Sequence, residues 1–458
     1  MTSYKHVEVR TAPHLPRVAA VWPIATVSLF LLVGVASQAA GQQPPAESVE
    51  QGQTPMDEVE LANPQPGQPL VPVEPEKKSP FFDDSRISAQ ARTFYLYRDK
   101  YDDSISEAWA IGGSVTYTSG YLADVFRVGA TAYTSQPLYA PDDRDGTLLL
   151  APGQEGYTVL GQIYGEVKFS DRLFGAFGRK EYNTPYINKN DARMTPNTFE
   201  GVTLYGKTGG KDGAPEWRYG GGYISKIKER NSDEFVSMSV DAGATVERGV
   251  YVAGANFKQK DYSIGAANYY SPDIINIFYT EAKYALTPRK LSLSAQFSDQ
   301  QSTGDNLLTG TAFSTHQWGV KGDLGLGAAV LTLAYTDTAD GAAMRNPWSG
   351  YPGYTSVQVQ DFFRAGESAV MLKAAYDLAG LGFKGASAYA LWVHGSGVAA
   401  PNFNEDEVDL NLQWNPDKSG PLRGMSFRVR LAHVAQRGGG DPDITDFRFI
   451  VNYDFPRP

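Results

Sequence analysis

From Phe81 to its end the chain is built of short segments in which apolar and polar residues alternate one by one. Side chains along a strand point to opposite faces in turn, so each segment carries one apolar face and one wetted face. Ser426 to Leu431 sets Phe427, Val429 and Leu431 against Arg428 and Arg430. Phe447 to Phe455 repeats the pattern. Val408, Leu410, Leu412 and Trp414 alternate with Glu407, Asp409, Asn411 and Gln413, and Leu291, Leu293, Ala295 and Phe297 with serines and Gln296. Beyond Ala40 no run approaches the roughly 20 apolar residues of a transmembrane helix. If this chain spans a membrane, it does so as a closed barrel.

A soluble sandwich or propeller also alternates, but its apolar faces are rich in Val and Ile, and propeller blades repeat a recognisable motif. No such repeat is present. Instead, 49 Tyr and Phe residues and 47 glycines accompany the alternation. Tyr95, Tyr97, Tyr117, Tyr133, Phe169, Tyr284, Phe297, Tyr335, Tyr376, Trp414, Tyr453 and Phe455 fall at or near segment ends. Short links at 170–171, 287–288 and 379–380 alternate with long ones at 134–156, 179–198, 300–314 and 339–365. Aromatic girdles and this loop asymmetry predict an all-β fold, a closed antiparallel transmembrane β-barrel. Nineteen candidate strands can be counted, but parity demands an even number when both ends lie on one side. Counts from the two ends collide between 231 and 273, where alternation suggests three strands and parity allows two. Eighteen strands over about 85–455 are therefore expected.

Residues 1–39 form a separate object. Lys5, Arg10 and Arg17 precede a mostly apolar stretch from Val18 to Val35, and Ser37-Gln38-Ala39 supplies small residues at alternate positions. This pattern predicts a cleaved signal peptide and export to the outer membrane. Residues 40–79, rich in Pro, Gln and Glu, read as a disordered periplasmic lead-in. The barrel is expected over 80–458.

Several stretches, taken in order, resemble the porin D family of Gram-negative outer-membrane porins. They are Phe81-Phe82-Asp83-Asp84-Ser85 leading into Ala91-Arg92-Thr93-Phe94-Tyr95, then Pro196-Asn197-Thr198-Phe199, and Lys226 to Arg230 followed by Ser232-Asp233. Asn276 to Tyr279, Asn346-Pro347-Trp348 through Tyr351-Pro352-Gly353-Tyr354 to Asp361-Phe362, and the closing Phe447 to Tyr453 complete the set. One departure is that Phe455 is followed by Pro456-Arg457-Pro458, whereas such barrels usually finish on an aromatic residue. The resemblance implies an eighteen-stranded barrel, a monomer or loose trimer, that passes small solutes selectively, often carboxylates.

Catalytic material is sparse. His316, His394 and His433 are the histidines beyond the leader, and no segment supplies a local nucleophile–base–acid trio. The chain has no cysteine, which excludes disulfides, thiolate metal sites and a cysteine nucleophile. No metal-ligand spacing or phosphate loop appears, and no cofactor is expected. A net charge of −10 offers no basic face for nucleic acid. The expected partners are outer-membrane lipids and a small-molecule substrate.

The informative set is basic residues in the inward phase: Arg92, Arg127, Arg428, Arg430 and Arg448, with Lys168, Lys207, Lys258, Lys283, Lys321 and Lys373. Arg428 and Arg430 share a strand, Arg448 lies on the next, and Arg92 comes close to Arg448 when first and last strands pair. Guanidinium binds carboxylate with a fork and keeps its charge. In the resembled family an arginine ladder guides substrates, and Arg92, Arg428, Arg430 and Arg448 match it. Arg127, Lys283, Lys321 and Lys373 are possible lumen residues, although lysines that merely pair with Glu166, Glu281, Asp409 or Asp454 explain the set as well. The third outer loop, with Tyr182, Tyr186, Lys189, Asp191 and Arg193, is expected to fold inward as a constriction, as loops at this place do in porins. The reading is a passive, substrate-biased channel rather than an enzyme. A barrel hydrolase or a surface receptor or adhesin are the alternatives.

Overall fold

The computed structural model describes residues 81–455 except 211–212, 287–289, 399–402, 417–419 and 439–442. The expected signal peptide, the lead-in and Pro456–Pro458 lie outside the described residues. Each strand of the wall pairs antiparallel with the wall strands before and after it along the chain. The last, Asp443–Asp454, pairs with the first, Arg86–Asp99, from Gln90↔Asp454 to Asp99↔Thr445, which closes the sheet. Eighteen strands build the barrel wall.

The ambiguous stretch resolves as parity requires. Val250–Gln259 and Tyr262–Ser271 are full strands, and Glu216–Lys228 pairs directly with the former. The third alternation is the two-residue strand Val236–Ser237, which adds only to the end of Glu216–Lys228. It stops because Met238–Asp241 coils into a single helical turn and buries Met238.

Polarity is inverted relative to a soluble protein. Outward Val408, Leu410 and Leu412 are exposed, whereas inward Glu407, Asp409, Asn411 and Gln413 are buried. Apolar side chains that face outward without a covering layer suit hydrocarbon, and polar groups facing the lumen suit water or one another. Aromatic pairs such as Trp414–Phe427 and Trp217–Phe257 sit near the strand ends on the short-turn side. Tyr133 departs from the expected girdle: it is inward and buried, and its hydroxyl donates to Glu181 Oε1 at 2.6 Å.

A bulge controls which charges reach the lumen. Ala132 pairs with Leu160 and Thr131 with Gln162, leaving Gly161 unopposed. A Cβ there would lie 2.6 Å from the Tyr133 ring, so the position suits glycine. The inserted residue reverses the phase of the strand, so that Leu160 and Ile163 both face out while Glu166 is buried within.

One rim carries tight turns such as 171–172 and 260–261. The other carries the long segments 140–156, 181–197, 229–249, 302–313 and 339–367. Several of these fold back into the lumen and create the buried clusters there.

Candidate functional site

The wall around the closing seam carries the four arginines expected to form a ladder. Arg430 pairs directly with Arg448, and Arg428 with Ile450. Arg92 pairs with Asn452, while Arg448 stands opposite Leu96. The expected proximity of Arg92 to Arg448 is therefore an offset of four residues, about 14 Å along the strand at a rise of about 3.4 Å per residue. Arg98, absent from the expected set, stands opposite Asp446 and extends the basic run toward the long-loop rim.

These arginines are buried and partnered. Arg428 Nε donates to Asn411 Oδ1 at 2.7 Å. Arg98 Nε and Arg448 Nε each lie 2.7 Å from an oxygen of Asp446. Arg92 grips Asp191 with a fork, Nη1 to Oδ1 at 2.6 Å and Nη2 to Oδ2 at 3.1 Å, and donates to Asn452 Oδ1 through Nε. Arg430 and Arg448 are 0% and 1% exposed, and Arg92 and Arg428 9% and 8%.

The segment 356–361 of the longest loop covers Arg448 and the acids beside it, while loop 181–197 covers Arg92. Val359 N–H and Gln360 N–H each donate to Glu407 at 2.8 Å. Gln358 donates from its backbone to Asp409 Oδ2 and from its side chain to Asp446 Oδ1. Its carbonyl accepts from Arg448 Nη2 at 2.9 Å. Acids and arginines of the seam wall thus bind loop backbone as well as one another.

The loop 181–197 also lies against inward side chains. Tyr182 is in hydrogen-bond contact with Thr203. Tyr186 is fully buried among the rings of Tyr269, Tyr279 and Tyr351, with its hydroxyl 2.7 Å from Ser298 Oγ. The Lys189 carbonyl accepts from Asn197 N–H, and Asp191 meets Arg92. Arg193 Nε donates to the Thr147 carbonyl at 2.8 Å. Burial, with Arg230, Arg448 and Arg98 nearby, pushes the Arg193 guanidinium well below its usual pKa, although arginine keeps its proton at any working pH.

The remaining basic residues form separate groups. Arg127 Nε and Lys180 Nζ flank buried Glu166 at 2.6 and 3.3 Å, and Tyr121 donates to the same carboxylate. Lys283 Nζ lies 3.4 Å from Glu281, which also accepts from Tyr354. Lys321 sits over the Tyr354 ring and near Asp323. Lys373 lies over the Tyr389 ring. These four possible lumen residues face inward but do not join the seam wall.

The sequence reading missed the other inward loops. Trp348, Tyr351 and Tyr354 of loop 339–367 are buried, as are Leu149 and Leu150 of loop 140–156. A signal existed in the first case, since three large aromatics within one long link are poor material for a solvated loop. Lys180 carries little inward-phase signal of its own, because its strand, Leu173–Lys180, is short and ends beside a loop.

Chemically, the arrangement is a charged wall beneath packed loops. Among the described residues no cluster of three or more His, Asp or Glu converges as a metal site. His394 Nδ1 lies 2.9 Å from Asp406 Oδ1, and both are in the outward phase. A model of the outer membrane porin family OprD matches residues 79–457. No curated protein matches the chain by sequence. Among solved structures, Pseudomonas aeruginosa OccK9 (OpdG) is similar with a TM-score of 0.73 at 22% identity, over 82% of this chain and 100% of that one. Acinetobacter baumannii OccAB3 gives 0.72 at 19% identity with the same coverage. Pseudomonas aeruginosa OpdK gives 0.68 at 20%, again over 82% and 100%. At these identities the likeness is one of fold.

Proposed function

The chain belongs to the OprD family of outer-membrane porins, and from that premise we propose that it passes small carboxylate-bearing solutes by passive diffusion, biased by the arginines of its seam wall. The observation that carries this reading is the Arg92–Asp191 fork, in which both carboxylate oxygens meet one guanidinium. A solute carboxylate takes the same geometry at such a group. Deeper in the wall, Arg428, Arg430 and Arg448 contribute positive potential without direct exposure, and Arg98 continues it. Screening over about 8 Å at physiological salt keeps each step local, and spaced sites of moderate strength favour both entry and exit. The fold neighbour OpdK was solved with vanillate, a carboxylate.

The test is uptake by proteoliposomes of a small carboxylate and a neutral solute of similar size. Arg428→Glu with Arg430→Glu should reduce carboxylate flux more than neutral flux, and the difference should shrink at high salt. Arg92→Gln should act in the same direction with less disturbance of buried charge. Equal loss for both solutes would point to a general pore or folding defect and defeat the electrostatic reading.

A further inference from the structure

We propose that Asn188 is a positioning residue that fixes the bore of the channel by locking loops 181–197 and 339–367 into one unit. The proposal rests on the channel reading above and goes beyond it. Asn188 is fully buried, yet it has no apolar role to play there. Its backbone N–H donates to Ser349 Oγ at 2.8 Å, and its carbonyl accepts from the same hydroxyl at 2.9 Å. Its side-chain Nδ2 donates to the Gly350 carbonyl at 3.1 Å and the Pro185 carbonyl at 3.3 Å. Its Oδ1 accepts from Gly350 N–H at 3.2 Å and Asn190 N–H at 3.1 Å.

An amide offers two donor hydrogens and an acceptor oxygen with two lone pairs, so this side chain is used to capacity. Two of the partners lie in its own loop and hold the turn. The others belong to the second loop and join the two. Aspartate has the same shape, but it would turn a lone pair toward the carbonyls of Pro185 and Gly350. Leaving those buried groups unsatisfied is unfavourable in a way that loss of packing alone is not.

The joined loops are also fixed to the wall. Gln300 donates to the Tyr186 hydroxyl and the Arg345 carbonyl, and accepts from Arg345 N–H. Trp348 Nε1 donates to the Met238 carbonyl and so engages a third loop. Those anchors hold each loop against the wall or the third loop. Asn188 ties the two loops directly to each other through four hydrogen bonds, two with Ser349 and two with Gly350, whereas the other direct ties are the Tyr186–Tyr351 ring contact and one 3.5 Å bond from Asn197 Nδ2 to the Trp348 carbonyl.

Single-channel recording in planar bilayers tests the assignment. Wild type should show one quiet open level. Asn188→Asp should lose that level, flicker between several and shift toward larger conductance, while its heat-dependent gel migration stays that of a folded barrel. Because the chain has no cysteine, Asn188→Cys with Ser349→Cys creates the only thiol pair and provides a rescue in one molecule. Oxidised, this variant should be quiet like wild type; reduced, it should flicker. If the Asp variant fails to fold, the cysteine pair still decides. A reduced pair as quiet as the oxidised one, or a folded Asp variant with wild-type current, would overturn the proposal alone. A folded wild-type protein that passes no current would overturn the channel reading, and this proposal with it.

Discussion

Arg430 and Arg448 stand directly opposite each other on adjacent strands, both buried. Like charges at facing positions are unfavourable in a sheet, and burial adds a desolvation penalty for each ion. The arrangement is sustained by acids one step along the same inward faces. Asp446 lies beside Arg448, and Asp409 stands opposite Ala432, two residues from Arg430. The wall is therefore a strip of adjoining basic and acidic residues in which the arginines depend on neighbouring acids.

Arg448→Ala tests that dependence. The guanidinium joins Asp446 to the Gln358 carbonyl, so its loss removes a buried partner from each. Breaking a buried pair on one side typically costs about 3–5 kcal/mol. Arg98 and Gln358 still serve Asp446, which places the expectation at the low end of that range. Denaturant unfolding in detergent should report the loss, and proteolysis within 356–361 should rise. Stability equal to wild type would show that the strip is not coupled.

Leu410→Arg tests the phase of the wall. Leu410 faces outward, is exposed and pairs with outward Leu431. An arginine facing lipid near the midplane costs about 2–4 kcal/mol. The variant should unfold at correspondingly lower denaturant, whereas Leu410→Ile should change little. A neutral outcome for arginine would mean that this face does not meet hydrocarbon.

The barrel was legible because its determinants are local and periodic. The phase of Arg428 and Arg430 follows from Phe427, Val429 and Leu431 alone, and closure parity corrected the surplus strand near Val236. What alternation does not encode is the return of loops into the lumen. Nothing in the spacing of Gln358, Val359 and Gln360 announces that their backbone N–H groups meet Glu407 and Asp409, some fifty residues later. The arginines were recognised as inward, but their burial follows from that long-range contact. Nothing near Arg98 in the sequence points to its partner, because Asp446, which holds it, is nearly 350 residues away and adjacent only once the seam closes.

Asp241 gives the loop 229–249 a pH dependence. It ends the single helical turn Met238–Asp241, and burial, helped by Glu229, raises its carboxyl pKa from 3.8 to about 8. The folded loop therefore holds the proton more tightly than the unfolded one. Its stabilising share is full below about pH 4, diminishes as the pH rises, and is lost by about pH 8. Limited proteolysis within 242–248 should be faster at pH 9 than at pH 5, after correction for the protease's own pH dependence. Asp241→Asn should abolish the difference. A wild-type protein with equal protection at both values would contradict the assignment.

Shortening the inward loops tests whether they narrow the channel. A barrel this wide leaves an aqueous passage unless something fills it, and two segments reach different parts of its inner wall. Tyr186 occupies the side built by Tyr269, Tyr279 and Ser298, while 358–360 covers Glu407 and Asp409. Deleting 184–194 should raise single-channel conductance markedly and also free the carboxylate-binding fork of Arg92 from Asp191. Anion preference should therefore rise together with conductance, which distinguishes this deletion from simple widening. Deleting 356–361 should instead expose acids and arginines together, with a larger current and little change in reversal potential under a salt gradient. Unchanged current in both variants would show that neither segment constricts the pore.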